Sequence, residues 1–280
     1  MLFRDPDRQA LFDENGYVVV DLLDAARIES LLEFYQETVG DMQQEDLFES
    51  SRHCSLEMNF RIMHRIREVF EEPASEIFAD SVLFGGTFMV KVQQQSTVLP
   101  LHQDWSVVDE DRHQSAFIWC GLHDVSPEGG GLFVLPGSHR YFHNIRSGNM
   151  PSVRIPLHDP LADLVVDLPL RAGQAVTYSD RLFHGSRANR TGAPRIVCTG
   201  RVNEAGSTLL YYHQTEEGRV AVIEASPEFY LKEIGKLARG GLVDGFPVRK
   251  TISYRYDAVT AERLLSRLVE LGKLSAAGSA

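Results

Sequence analysis

Of the ten histidines in the chain, His102 and His184 sit where their side chains could do chemistry. In Leu101-His102-Gln103-Asp104-Trp105 an imidazole and a carboxylate stand two residues apart. On a β-strand that spacing puts both side chains on one face, where they can grip one ion from the same side. A second imidazole from a distant strand would complete a face of two histidines and one carboxylate. Three positions on an octahedral iron(II) would then stay open, enough for a bidentate ligand and O2. His184, in Phe183-His184-Gly185-Ser186 after a β-rich run, is the candidate for that place. The His-x-Asp spacing by itself recurs by chance, and a surface histidine beside an aspartate is its ordinary reading. Arg195, 11 residues beyond His184 and past a turn, adds to the pattern. A guanidinium inside a barrel can clamp a carboxylate through two parallel hydrogen bonds.

The elements that must position these groups are legible as texture. Asn15-Gly16 is a turn signal before the β-branched run Tyr17–Val20, and Asp24 can cap a helix carrying Ile28, Leu31, Leu32, Tyr35 and Val39. A second amphipathic stretch, with Ile62, Ile66, Val69 and Phe70 on one face, is expected to stop before Pro73. From Thr87 to Val202 short β-rich runs alternate with turn chemistry: Phe88–Gln95, Ser115–His123, Gly131–Leu135, Leu164–Leu168, Gln174–Tyr178, Leu182–Arg187 and Arg195–Val202. Many short strands at close spacing predict a sandwich or jelly roll. Ser226-Pro227 opens a further helix, and residues 259–271 read as a final amphipathic one. The segment 49–54 reads as a connecting loop, with a lid as its alternative. One domain over 1–280 is expected: helical support over about 1–85, a jelly-roll core over about 86–205 and a helical part over about 206–274.

Composition excludes several classes. A net charge of −11 and a pI near 5.4 argue against nucleic acid and anionic membranes as partners. No segment approaches the ~20 apolar residues that span a bilayer. The three cysteines, Cys54, Cys120 and Cys198, form no paired motif, which fits reduced thiols and a cytoplasmic protein. A small-molecule substrate, acting on a monomer or homodimer, is the expected partner.

His102-Gln103-Asp104, Trp119, the run Gly129–His139, His184-Gly185-Ser186 and the run Asn189–Arg195 together closely resemble the phytanoyl-CoA dioxygenase family, as does the opening Asn15–Val20. The resemblance covers about residues 10 to 205. It implies a mainly β, double-stranded β-helix (cupin-like) core with flanking helices, with Fe(II) held by His102, Asp104 and His184. It further implies 2-oxoglutarate as co-substrate, its distal carboxylate on Arg195, with Trp119 and Ser186 touching it. The implied reaction uses O2 to hydroxylate an unactivated C–H and releases succinate and CO2. Related halogenases have Ala or Gly at the carboxylate position, so Asp104 favours hydroxylation.

Strand parity extends the set. If Arg195 faces inward, Val197, Thr199 and Arg201 share its face. Arg201 then meets either an acidic group of the substrate or a core carboxylate. Lys91, Gln93 and Gln95 share one face of their run; Gln93 is a candidate for the co-substrate and Gln95 for the substrate, a water-exposed strand edge being the alternative. The expected substrate is a small polar metabolite, an amino acid or a specialised-metabolism intermediate. Desaturation, cyclisation, epimerisation and acyl-CoA or acyl-carrier hydroxylation are alternatives with the same cofactors. A cupin-like hydrolase or isomerase and a non-catalytic metabolite-binding jelly roll are the rivals from other classes.

Overall fold

The computed structural model describes residues 1–40, 42, 46–93, 97–157, 161–241 and 246–270. Helix α1 (Pro6–Asn15) starts where the Asp5 carboxylate accepts the amides of Asp7 and Arg8. It stops at Gly16, whose φ of +83° turns the chain into strand β1 (Tyr17–Asp21). Asp24 caps α2 (Ala25–Tyr35) through the amide of Arg27, as its sequence predicts. The expected loop at 49–54 is instead an edge strand and a helical turn, β2 (Leu47–Glu49) and α3 (Ser50–His53). Phe48 is buried in the core there, and the Ser50 hydroxyl bonds Thr87 at 2.7 Å, so the segment is pinned to its neighbouring strand.

Helix α4 (Leu56–Ile77) runs through Pro73 rather than stopping before it. A proline costs the helix one amide donor. Beyond it, Ala74 and Ile77 stay buried in the same cluster as Phe70, so packing carries the helix one turn further.

The strands of the central region follow the expected runs with small shifts: β3 (Ser81–Lys91), β4 (Leu99–His102), β5 (Ser115–Gly121), β6 (Leu132–Val134), β7 (Val166–Leu168), β8 (Gln174–Ser179), β9 (His184–Ser186) and β10 (Arg195–Glu204). The expected helical part over 206–274 proves half β. It holds β11 (Leu210–Glu216), β12 (Arg219–Glu224), α5 (Pro227–Leu237), β13 (Val248–Ser253) and α6 (Ala261–Glu270). The cause is the Glu217-Gly218 turn: Gly218 takes φ +75° and folds two apolar strands into a hairpin.

Antiparallel pairing builds a six-stranded sheet, β1-β8-β5-β10-β3-β2, and a four-stranded sheet, β4-β9-β6-β7; β11-β12-β13 form a third. The first two sheets face each other across one apolar layer, Trp119, Val176 and Val197 from the large sheet meeting Leu132, Val134 and Leu168 from the small one. The strand spacing predicts a jelly roll and the family resemblance a double-stranded β-helix, and these two facing sheets are that arrangement. Alternate residues of the large sheet, among them Phe88, Ile118 and Cys198, pack outward against Leu31 of α2 and Ile62 and Phe70 of α4. Leu264 and Leu268 of α6 cover the outer face of the small sheet at Leu101, Phe133 and Phe183. Each such side chain contributes about 1.5–3 kcal/mol on burial, so both sheets are backed by stiff layers. No helix among the described residues is long and apolar enough to cross a membrane.

Candidate active site

Strands β4 and β9 pair so that His102 lies directly opposite His184, with ring centroids 4.3 Å apart. The strand expected to carry both His102 and Asp104 ends at His102. Asp104 is instead held by its backbone, its amide donating to Asp180 O at 3.0 Å and its carbonyl accepting Arg146 Nε at 2.5 Å. Ligand atoms of His102, Asp104 and His184 all fall within 4.8 Å of one another, so one ion can touch all three. The neighbours of the rings fix which nitrogens are free. His102 Nδ1 lies 2.9 Å from Pro100 O, and His184 Nδ1 lies 3.0 Å from Leu182 O. A carbonyl only accepts, so each Nδ1 carries the proton and each Nε2 lone pair is left for a metal. Burial and the neighbouring His184 bring His102 down to about 4, so its ring is neutral. Burial works against the Asp104 carboxylate, but His184, Arg201 and His102 together hold it below its usual range. Two imidazoles and a carboxylate are a donor set suited to iron(II) and its first-row neighbours.

The sequence around His184 explains its rigidity. Ser138, buried in the Leu135–His139 loop, accepts the Phe183 amide at 3.0 Å, and Leu135 N donates to Phe183 O at 2.8 Å. That loop is a brace for β9. Gly185 packs so closely on the Leu99 carbonyl and the Phe133 ring that a β-carbon would overlap both.

Arg195 opens β10 and is 2% exposed. Asn189 builds the turn before it: its amide donates to Ala193 O at 2.9 Å and Lys91 O at 3.0 Å, and its oxygen accepts the Thr191 hydroxyl at 2.7 Å. Arg195 Nη1 donates to Gly130 O at 2.9 Å. Gly130 has φ +81°, and a β-carbon there would press on Lys91 Cδ at 3.0 Å, so glycine is required at that position. The side-on edge of the guanidinium, Nε and Nη2, is buried without a hydrogen-bond partner among the described residues. Trp119 lies under the guanidinium, its ring centroid 5.0 Å from Cζ. Burial lowers Arg195 to about 9.

Lys91, to which the sequence reading assigned no role, faces Arg195 in register across β3 and β10 and is fully buried. Its ammonium donates to Ser186 Oγ at 2.9 Å and to the carbonyls of Arg187 at 2.5 Å and Ser186 at 3.4 Å. The Ser186 hydroxyl accepts from Lys91 and so keeps its own hydrogen to donate. Burial and then the charge of Arg195 bring Lys91 down to about 7, with Asp46 opposing. Pairing register across strands is the signal that would have exposed Lys91, and a single sequence does not show it.

One cavity of about 490 Å³ joins these parts: the three clustered ligands, Trp119, Ser186, Arg195 and Arg201 all line it. Parity on β10 holds, since Arg195, Thr199 and Arg201 share the inner face. Of the two alternatives for Arg201, the core carboxylate is what it meets. It pairs with fully buried Asp180, stacks 4.9 Å over the Phe117 ring, and lies 3.7 Å from Asp104 Oδ2. The Tyr178 hydroxyl donates to that same Oδ2 at 3.4 Å. Burial raises Asp180 to about 6 against the pull of Arg201, and Ser115 donates to it at 2.5 Å. Gln93 does not reach the cavity: β3 ends at Lys91, and Gln93 is exposed in the turn beyond it. Gln95 lies outside the described residues. The segment 47–52 is a cavity wall, through Leu47, Glu49, Ser51 and Arg52.

A family model described as phytanoyl-CoA dioxygenase (PhyH) matches residues 12–197. Over 99 residues the chain is 31% identical to phytanoyl-CoA dioxygenase domain-containing protein 1 of Danio rerio. That match covers 33% of this chain and 34% of the relative, so it spans about a third of the relative's length. The epimerase SnoN, solved with Fe3+, alpha ketoglutarate and nogalamycin RO, aligns with a TM-score of 0.53 at 22% identity, covering 73% of this chain and 87% of that one. The carbocyclase SnoK from nogalamycin biosynthesis gives 0.50 at 18%, covering 73% and 86%. EctD from S. alaskensis gives 0.50 at 19%, covering 73% and 79%. At these identities the likeness is one of fold.

The Arg201–Asp180 pair has a measurable consequence. Arg201→Met strands a buried carboxylate and is expected to cost about 3–5 kcal/mol in urea denaturation at pH 7.5. A variant as stable as the parent would mean that Arg201 is free to serve the substrate instead.

Proposed function

The chain belongs to the phytanoyl-CoA dioxygenase family, and from that premise we propose that it is an iron(II)- and 2-oxoglutarate-dependent oxygenase hydroxylating an unactivated C–H of a small molecule. The observation that carries this reading is the buried, unpartnered Nε–Nη2 edge of Arg195 in the cavity that also holds the His102, Asp104 and His184 cluster. An unmet bidentate donor inside a protein is costly unless an acceptor arrives, and a carboxylate matches its geometry. That arrangement supports reading His102, Asp104 and His184 as metal ligands and Arg195, Ser186 and Trp119 as the co-substrate's contacts.

When bound, iron and 2-oxoglutarate supply the oxidation: the keto acid and O2 give succinate and CO2, and one oxygen atom goes to the substrate carbon. The protein's share is positioning. His102 and His184 present Nε2 because their Nδ1 protons are taken by backbone carbonyls. Tyr178 and Arg201 hold Asp104 by Oδ2, which leaves Oδ1 for the metal. Arg195 and the Ser186 hydroxyl would receive the distal carboxylate, with Lys91 adding a second positive charge behind them and the Trp119 ring packed on the guanidinium. Asp104 would supply a third protein ligand where a halide would otherwise bind, which supports oxygen insertion.

Anaerobic titration with Fe(II) and then 2-oxoglutarate tests the proposal. The parent is expected to develop the weak visible band of a keto acid on Fe(II). His102→Ala should lose it, and Arg195→Gln should retain metal but bind 2-oxoglutarate far more weakly. A parent that takes up neither metal nor keto acid overturns the reading.

Lys91 gives the binding a pH signature. Its free value is about 7, and a dianion beside it favours the ammonium, so the value rises on binding. Binding therefore takes up protons above pH 7. Calorimetric affinity for 2-oxoglutarate should be flat below that pH and fall between pH 7 and 8.5. Lys91→Met should bind more weakly at pH 6.5 and show no such slope; equal slopes in both proteins would remove Lys91 from the account.

A further inference from the structure

Five arginines line the cavity among the described residues: Arg52, Arg146, Arg154, Arg195 and Arg201. Three are answered by the chain's own carboxylates. Arg146 meets Glu110 at 2.6 Å, Arg52 meets Glu49 at 2.7 Å, and Arg201 meets Asp180. Arg195 turns its open edge to the co-substrate. Arg154 is left, with no ion pair, hydrogen bond or ring contact among the described residues.

Backbone pairing fixes its place. Ile155 and Leu101 exchange hydrogen bonds of 3.0 and 2.9 Å, and both side chains are buried under the small sheet. The neighbour of Ile155 in this extended pair turns the opposite way, toward the cavity.

Elsewhere the same cavity is lined by apolar and aromatic side chains, Met63, Phe84, Phe117, Tyr230, Leu231 and Ile234. Arg195 and Lys91 both stand at the place assigned to the distal carboxylate of 2-oxoglutarate, whose keto acid end would lie on the metal. Arg154 is solvent-exposed and adds to the cavity lining one positive charge that no carboxylate among the described residues answers. A phosphate monoester, carrying nearly two charges at neutral pH, would need a second free cation there.

We infer that the primary substrate is a monocarboxylic acid with an apolar body, its carboxylate held by Arg154. The inference rests on reading the cavity as an oxygenase active site. The carboxylate carbon has no C–H to oxidise, so the acid is the handle and the target carbon lies on the apolar part. This narrows the polar metabolite expected from the sequence to one whose polarity is confined to an acid group.

The test uses full-length protein loaded with Ni(II) and 2-oxoglutarate, which binds without turning over. Phenylacetate, cinnamate and decanoate are each compared by calorimetry with their primary amides and with phosphonates of matched body. At least one acid is expected to bind about tenfold tighter than its amide, the scale of a hydrogen bond to a charged group. Arg154→Gln should erase that preference while its affinity for 2-oxoglutarate stays within twofold of the parent, which reports an intact fold and inner site. Arg154→Lys should restore part of it. Acids that bind no better than amides, a preference surviving in Arg154→Gln, or a consistent preference for phosphonates would each overturn the assignment while 2-oxoglutarate still binds. A parent that fails to bind 2-oxoglutarate at all defeats the oxygenase reading, and this inference falls with it.

Discussion

Two positive charges are buried side by side, Arg195 on β10 and Lys91 on β3, and among the described residues their side-chain hydrogen bonds run to neutral oxygens. Taking a charge out of water costs several kcal/mol unless it is paired. Both groups show that cost, burial drawing the lysine to about 7 and the arginine to about 9. Most of the surrounding architecture reads as what makes this tolerable: Gly130 and Arg187 offer carbonyls, Ser186 offers a hydroxyl, and Asn189 ties the turn that brings them together. A dianion entering this corner relieves the cost, so co-substrate binding and fold stability are coupled.

The two sheets divide the labour. The small sheet carries both histidines on neighbouring strands, with the Leu135–His139 loop bracing β9 and α6 packed on the sheet's outer face. The large sheet carries the cations and Trp119 on its inner face, with α2 and α4 packed on its outer face. The reacting centre therefore lies between two surfaces that are each rigid on their own. Asp104 is the exception, sitting just past the end of β4. It depends on Asp180, Arg146, Arg201 and Tyr178 for its position, which explains why a second buried carboxylate is kept beside a metal site.

Sequence spacing revealed the parts that repeat locally. The alternation along β10 placed Arg195 and Arg201 on one face, and the caps at Asp24 and Ser226 start helices where the side chains say they should. What stayed hidden depends on contacts distant in the chain. Arg201 chose the core because Asp180 lies beside it in space, 21 residues away. Lys91 gains meaning only once β3 is known to pair with β10, and the same pairing ends β3 before Gln93. Pro73 failed to stop α4 because the residues after it had a core to enter. Arg154 belongs to a stretch without periodicity, and only the pairing of its neighbour Ile155 with Leu101 of β4 shows which way it points.

The central claim is that one cavity joins a metal at His102, Asp104 and His184 to a carboxylate at Arg195. A crystal structure of the protein with Ni(II) and 2-oxoglutarate tests it most directly, with anomalous scattering locating the metal. The account predicts one metal peak bound by both Nε2 atoms and Asp104 Oδ1, with the keto acid running from it to the Nε–Nη2 edge of Arg195. Metal elsewhere, ligation through Nδ1, or an Arg195 edge left unengaged while the keto acid is bound would contradict it.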